Sequence, residues 1–322
     1  MDIGHTAHVS ETLAESQLER PGRCRNKNDV ETRTKRVKVL VAQTTTGVAR
    51  VVGNRYDILD VGRASLSDLV KSGAMDRLDR ARVTRSVEGQ AVTVQAPIAS
   101  PGKMLIVGLN YEDHVAEIGA ERPRVPRVFF TAASAVSGPT DDIPLPRIAD
   151  SAVDFEGEVA VVIGAPASDV SVGRAWSHVA GLTVANDVTA RDVQDGTNPA
   201  VAGSNIGLAK GFDGFKPLGP ALLVADGAHE RADMILRTVV DGELRQESST
   251  ANMIFPIAEL VSRVSQYTTL QPGDVILTGT PGGVGLASGR FLRAGQVVEV
   301  ELEGVGVLRN RVATARVKGP AD

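Results

Sequence analysis

Asp154, Glu156 and Glu158 occupy alternate positions of Asp-Phe-Glu-Gly-Glu, directly before the apolar run 159–163. Alternate residues of a strand share one face, so an extended chain here points three carboxylates the same way. Two readings stay open. At a solvated sheet edge the acids simply face water, whereas on a strand entering the core they are costly unless a cation offsets them. Oxygen donors suit Mg²⁺ or Mn²⁺, with Ca²⁺ as a third candidate, and no Cys and His stand at the spacing of a structural zinc site. Asp187 ends the strand-like run 181–187 and adds a carboxylate at a strand end, where sites are commonly assembled.

Arg191 and Gln194 follow Asp187 three residues apart, so a helical turn there puts both on one face. They either meet an anionic substrate or cap local backbone. His114 and Glu117 are likewise three apart, just after the strand-like run 103–108. Such a pair is either a surface contact or an imidazole oriented by a carboxylate for general-base work. Lys210 lies in a stretch rich in Gly and Pro that must turn tightly, and reads as a solvated lysine or as a neutraliser of substrate charge. The segment 277–285, Leu-Thr-Gly-Thr280-Pro-Gly-Gly-Val-Gly, offers backbone amides and a hydroxyl to an anion, or simply a tight turn between strands. It lacks the Gly-Lys-Ser/Thr ending of a phosphate-binding loop, so it is not read as a nucleotide site.

The elements that must position these groups are mostly strands. Aromatic residues are only 3% of the 322, there are 33 glycines, and Val is frequent, a pattern of many short β-branched strands joined by turns. The class expected is β-rich α+β. Residues 1–36 read as a flexible extension whose basic run, from Arg20 to Lys38, is either a solvated tail or an electrostatic contact. Residues 37–98 read as a small domain of a hairpin and a helix at 65–78. The prolines and glycine at 96–102 mark the start of a larger domain, 99–318, with helices at 111–118, 174–177 and 254–266. A net charge of -4 argues against nucleic acid as the main partner, and no apolar run approaches the roughly 20 residues that span a bilayer. Cys24 has no internal partner and the first residues have no secretory pattern, so a cytoplasmic protein is expected.

In series, the segments 107–117, 154–158, 185–194, 210–213 and 278–285 resemble the fumarylacetoacetate hydrolase superfamily, in the branch of 2-hydroxyhepta-2,4-diene-1,7-dioate isomerases, acylpyruvases and fumarylpyruvate hydrolases. The likeness covers roughly residues 103–313. It implies a catalytic domain of mixed sheets rolled into a sandwich with a small α+β domain before it, and a homodimer. By the same resemblance, Glu156, Glu158 and Asp187 hold Mg²⁺ or Mn²⁺, His114 and Glu117 form a lid dyad, Lys210 is catalytic, and Arg191, Gln194 and Thr280 bind substrate. Two departures bear on the pocket wall: many relatives carry a lysine near Thr131-Ala132 and an aromatic before Lys210, where this chain has Ile206-Gly-Leu-Ala.

Three carboxylates and one Mg²⁺ sum to about -1, so a dianionic substrate needs Lys210 and Arg191 close by. The chemistry implied is chelation of a small oxo-acid, which stabilises the enolate left when a C–C bond breaks. The activity expected is a metal-dependent hydrolase of 2,4-dioxo acids of the acylpyruvate or fumarylacetoacetate kind. The alternatives are a decarboxylase or isomerase of oxo-dicarboxylic acids in aromatic catabolism, and a non-catalytic relative that binds a metabolite.

Overall fold

Apolar residues in the central strands fall into two sets with a period of two. Leu105, Val107, Val159, Val161 and Ile163 belong to one core, while Met104, Ile106, Ala160 and Val162 belong to a second. A strand sends successive side chains to opposite faces, so this division means the sheet is covered on both. That explains why Gly157–Ile163 and Val179–Asn186 are buried at every position.

The computed structural model describes residues 39–225 and 233–314. The basic run at 20–38 and the extension expected at 1–36 lie outside the described residues. The described residues all fall in one compact unit.

A 12-stranded sheet forms the spine. At one end is an antiparallel meander of Leu40–Thr44, Gly47–Val52, Arg55–Leu59 and Val83–Glu88. Leu40–Thr44 then pairs with Lys216–Val224, which continues the sheet through Val179–Asn186, Gly157–Ile163, Val275–Leu277 and Met104–Gly108 to the edge strand Arg127–Thr131. The strands before residue 98 are thus hydrogen-bonded into the same sheet as those after it.

A five-stranded sheet, in the order Glu243–Ser249, Ile235–Val240, Val297–Leu302, Gly306–Thr314, Ile143–Leu145, packs on the first core with Leu236, Val298, Val300 and Leu308. Helix Ile257–Tyr267 covers the same core. Its buried Ile257, Leu260, Val261 and Val264 follow the i, i+3, i+4, i+7 spacing of an apolar helical stripe. The β-rich α+β class expected from composition is the class observed.

Three local expectations change. The single helix at 65–78 is two short ones, Leu66–Lys71 with a Ser65/Asp68 capping box and Arg77–Arg80. The helical stretch at 174–177 is a 3-10 helix over Val172–His178. The acid-bearing segment is not one strand: Val153–Asp154 pairs with Thr189–Ala190, and a new strand begins at Gly157.

Candidate metal centre and cavity

The antiparallel register Gly157↔Asn186 and Glu158↔Ala185 brings two distant stretches of sequence together at one end of the sheet. The Asp187 N–H donates to the Glu156 carbonyl at 2.8 Å, and the Glu156 N–H donates to Asn186 Oδ1 at 3.0 Å. Both sides of residue 156 are therefore pinned. Gly157 is required between the two glutamates, because a Cβ there would lie 2.2 Å from Thr238 Oγ1 and 3.0 Å from Val300 Cγ1 in the second sheet. The outcome is that Glu156, Glu158 and Asp187, all buried, each present an oxygen within 4.8 Å of the others.

Three buried cations surround this cluster. Lys210 Nζ bridges Glu156 Oε2 and Asp187 Oδ2 and donates to Thr189 Oγ1 at 2.8 Å. Lys216 Nζ lies 2.8 Å from Asp187 Oδ1, as an ion pair not aligned for a hydrogen bond, and is held by the carbonyls of Lys210, Phe215 and Val188. Arg191 donates through Nε to Asp154 Oδ2 at 2.9 Å and through Nη1 to Gln194 Oε1 at 2.9 Å. Its Nη2 stands 2.8 Å from Asp154 Oδ2 and 2.6 Å from Glu156 Oε1.

With Asp154, four buried carboxylates face three buried cations, leaving one negative charge without a partner. Glu158 carries that imbalance. Burial, then the charges of Asp187 and Glu156, push its carboxyl well above the usual range, and the Gly279 N–H at 2.7 Å opposes this only in part. Burial also works against ionising Glu156, but Lys210 and Arg191 outweigh it and hold that carboxyl below the usual range. For Lys210 the order is similar: burial disfavours its charge, and Asp187 and Glu156 more than restore it. Lys216 is shifted down by burial, with Asp187 opposing. A cluster of three converging carboxylates, one of which lacks a counter-charge, fits a divalent cation held by Glu156, Glu158 and Asp187.

The other predicted groups lie around the same cavity, which encloses about 180 Å³ and is lined by His114, Glu156, Glu158, Arg191, Gln194, Lys210 and Thr280 among others. Drug-sized ligands occupy pockets of roughly 300 Å³ and more, so a small acid suits this one. His114 sits on the short helix Glu112–Glu117, with Nδ1 3.3 Å from Glu117 Oε2. The other oxygen of Glu117 accepts the Gly283 N–H at 2.8 Å, so the dyad is tied to the glycine-rich loop. Thr280 Oγ1 donates to the Gly157 carbonyl at 2.9 Å and accepts from Gln246 Nε2 at 2.8 Å.

Three features were not read from the sequence. Lys216 looks like any lysine before a proline, and only the fold buries it. Gln246 comes from the second sheet, where one strand reaches across to bond Gly157 N–H at 3.0 Å and Thr280. Asp154 stands outside the group of three converging carboxylates and accepts from Gly285 and Leu286 N–H as well as Arg191, so it anchors the loop that carries Thr280. The break after Asp154 in the strand is the reason.

The family model for the fumarylacetoacetate (FAA) hydrolase C-terminal domain matches residues 103–313. The mitochondrial oxaloacetate tautomerase FAHD2B of Bos taurus is 45% identical over 223 residues, 69% of this chain and 69% of that protein. Among solved structures, a fumarylacetoacetate hydrolase from Exiguobacterium antarcticum aligns with a TM-score of 0.72 at 33% identity, covering 87% of this chain and 99% of that one. A 2-hydroxyhepta-2,4-diene-1,7-dioate isomerase from Mycobacterium marinum aligns with a TM-score of 0.68 at 32% identity, covering 88% and 100%. With its strand-end carboxylate cluster, its mixed sheets and a match over most of its length, this chain belongs to the fumarylacetoacetate hydrolase family.

Proposed function

We propose that this chain is a divalent-metal-dependent enzyme that interconverts the keto and enol forms of a small 2-oxo diacid, with oxaloacetate as the first substrate to test. The observation that carries the reading is the juxtaposition, around one small cavity, of an imidazole–carboxylate pair and three buried carboxylates short of positive charge. Similarity to an oxaloacetate tautomerase over 69% of the chain supports the choice of substrate. Mg²⁺ or Mn²⁺ are the ions we favour, since a few carboxylates with the remaining positions left to water and substrate suit Mg²⁺, whereas Ca²⁺ takes up to eight oxygens. Such an ion supplies Lewis acidity toward the 2-oxo and carboxylate oxygens of the substrate.

The protein's own groups do the rest. Glu156, Glu158 and Asp187 hold the ion, while Arg191 and Lys216 fix the carboxylates of Glu156 and Asp187. Gln194 and Thr280 contact substrate oxygens from the cavity wall, and Lys210 balances the charge of the bound acid. His114 moves the proton at the carbon next to the 2-oxo group, with Glu117 on Nδ1 setting the ring's tautomer and orientation.

The His114–Glu117 pair also favours a second reading, the C–C hydrolase of 2,4-dioxo acids, in which the same imidazole activates water against a second carbonyl. One experiment separates them. Metal-loaded protein is given oxaloacetate, with enol absorbance and CO₂ followed, and in parallel an acylpyruvate, with pyruvate release followed. Measured above the rates with metal alone, enol–keto exchange without CO₂ or pyruvate supports the tautomerase, pyruvate from the acylpyruvate supports the hydrolase, and CO₂ indicates a decarboxylase. No change in any substrate sinks the enolate chemistry altogether. A homodimer in a reducing cytoplasm belongs to the same proposal, and light scattering at a mass other than twice 33.8 kDa would contradict the dimer. No helix among the described residues is long and apolar enough to cross a membrane.

A further inference from the structure

Among the described residues, one cation on the cavity wall has no carboxylate to pair with. Arg127 begins the edge strand Arg127–Thr131, opposite Gly108, and lines the same cavity as His114 and Lys210. It shares a strand face with Phe129, and its guanidinium carbon stands 6.0 Å from the centre of that ring, at the outer limit of a cation–π contact. Among the described residues no Asp or Glu lies within ion-pairing distance of it, and the residue is exposed. Arg191, Lys210 and Lys216, by contrast, are buried and already engaged by acids.

Charge then constrains the ligand. Glu156, Glu158, Arg191 and Lys210 line the cavity, and Asp154, Asp187 and Lys216 pair with them from behind; the seven groups carry four negative and three positive charges, which a divalent ion would bring to about +1, enough for one substrate carboxylate. Leu109, Ile118, Phe129, Ile206 and Leu286 make much of the remaining wall and offer a second carboxylate nothing. Arg127 is the group that does, through a fork of N–H donors matched to a carboxylate.

We propose that Arg127 is a specificity-determining residue that receives the distal carboxylate of a dicarboxylic 2-oxo acid whose oxo-acid end lies on the buried carboxylate cluster. The inference rests on the enolate chemistry proposed above and names the residue that selects the diacid over a monoacid. Because Arg127 is exposed and makes no ion pair, its replacement leaves the fold and the buried cluster intact.

The test uses full-length, Mn²⁺-loaded protein as wild type, Arg127→Met and Arg127→Lys. Tautomerisation is measured with oxaloacetate and with its 4-methyl ester, which keeps the oxo-acid end and lacks the distal charge. Oxalate inhibition probes the cavity floor alone. The expected result is an oxaloacetate KM raised about 10- to 100-fold in Arg127→Met, the range for losing one charge-assisted hydrogen bond. Its kcat stays within about 3-fold, its oxalate inhibition is unchanged, and Arg127→Lys recovers part of the loss. Wild type should also prefer the diacid to the ester, and Arg127→Met should lose that preference. An unchanged oxaloacetate KM in Arg127→Met while oxalate still inhibits overturns the role of Arg127 and leaves the enolate chemistry standing. Wild type that neither binds oxalate with Mn²⁺ nor acts on either substrate overturns both.

Discussion

Replacing Glu158 by Gln should strengthen the metal-free protein and abolish its response to metal. Glu158 is 1% exposed, and the partner oxygens of Glu156 and Asp187 lie within 4.8 Å of it. Burial and those neighbours keep the carboxyl protonated in the metal-free chain, and holding that proton at pH 7 against an ordinary value of 4.5 costs the folded state at most about 3 kcal/mol. Glutamine keeps the volume and the oxygen that accepts the Gly279 N–H while removing the charge. In EDTA the variant should therefore exceed wild type by about 1–3 kcal/mol, read as a Tm rise of roughly 2–4 °C per kcal/mol for a domain of this size. At Mn²⁺ about 100 times its Kd, wild type should gain about 2.7 kcal/mol and the variant less than about 1 kcal/mol. Circular-dichroism melts with and without Mn²⁺ measure both. A variant that melts below wild type in EDTA and gains as much from Mn²⁺ would refute the reasoning that a cation is what Glu158 lacks.

Other consequences follow from the same cluster. The folded, metal-free chain keeps Glu158 protonated over a range where the unfolded chain, with an ordinary value of 4.5, has released its proton; Asp154, raised chiefly by burial, acts in the same sense. Metal-free stability should thus fall as pH rises from about 4.5 toward neutrality, and the Mn²⁺-induced gain should grow over the same window; melts showing the opposite slope contradict this. Arg191→Met leaves Asp154 and Glu156 buried without their partner and should cost about 3–5 kcal/mol in urea unfolding. His114→Ala should cut turnover by about 10²- to 10⁴-fold while calorimetric Mn²⁺ affinity stays near that of wild type; a parallel loss of metal binding would place His114 in a different role. Gly157→Ala should cost about 1–3 kcal/mol and weaken Mn²⁺ binding, because the added methyl forces Thr238 and Val300 away from the glutamates.

What could be read in advance was what depends on local period and residue type. The stripe at 257, 260, 261 and 264 announces helix Ile257–Tyr267, and the apolar runs at 159–163 and 181–185 announce strands buried on both faces. The acids at 156, 158 and 187 were legible as oxygen donors, though their meeting depends on the register between Gly157–Ile163 and Val179–Asn186, a long-range property. Asp154 was misplaced because alternation holds only while a strand is continuous, and here the ladder breaks before Gly157. Arg191 lines the cavity, but that its Nε and both Nη atoms also stand against Asp154, Glu156 and Gln194 depends on contacts that only the fold creates. Lys216 and Gln246 were missed for a related reason: nothing in their neighbours along the chain indicates burial beside the cluster, and Gln246 arrives from another sheet.

The central claim is that Glu156, Glu158 and Asp187 together hold a divalent ion on which a 2-oxo acid is processed. Calorimetric titration of Mg²⁺ and Mn²⁺, with and without oxalate, into wild type and Asp187→Ala tests it most directly. Binding to wild type that tightens with oxalate and vanishes in Asp187→Ala is the predicted result. No binding to wild type, or undiminished binding to Asp187→Ala, would contradict the account.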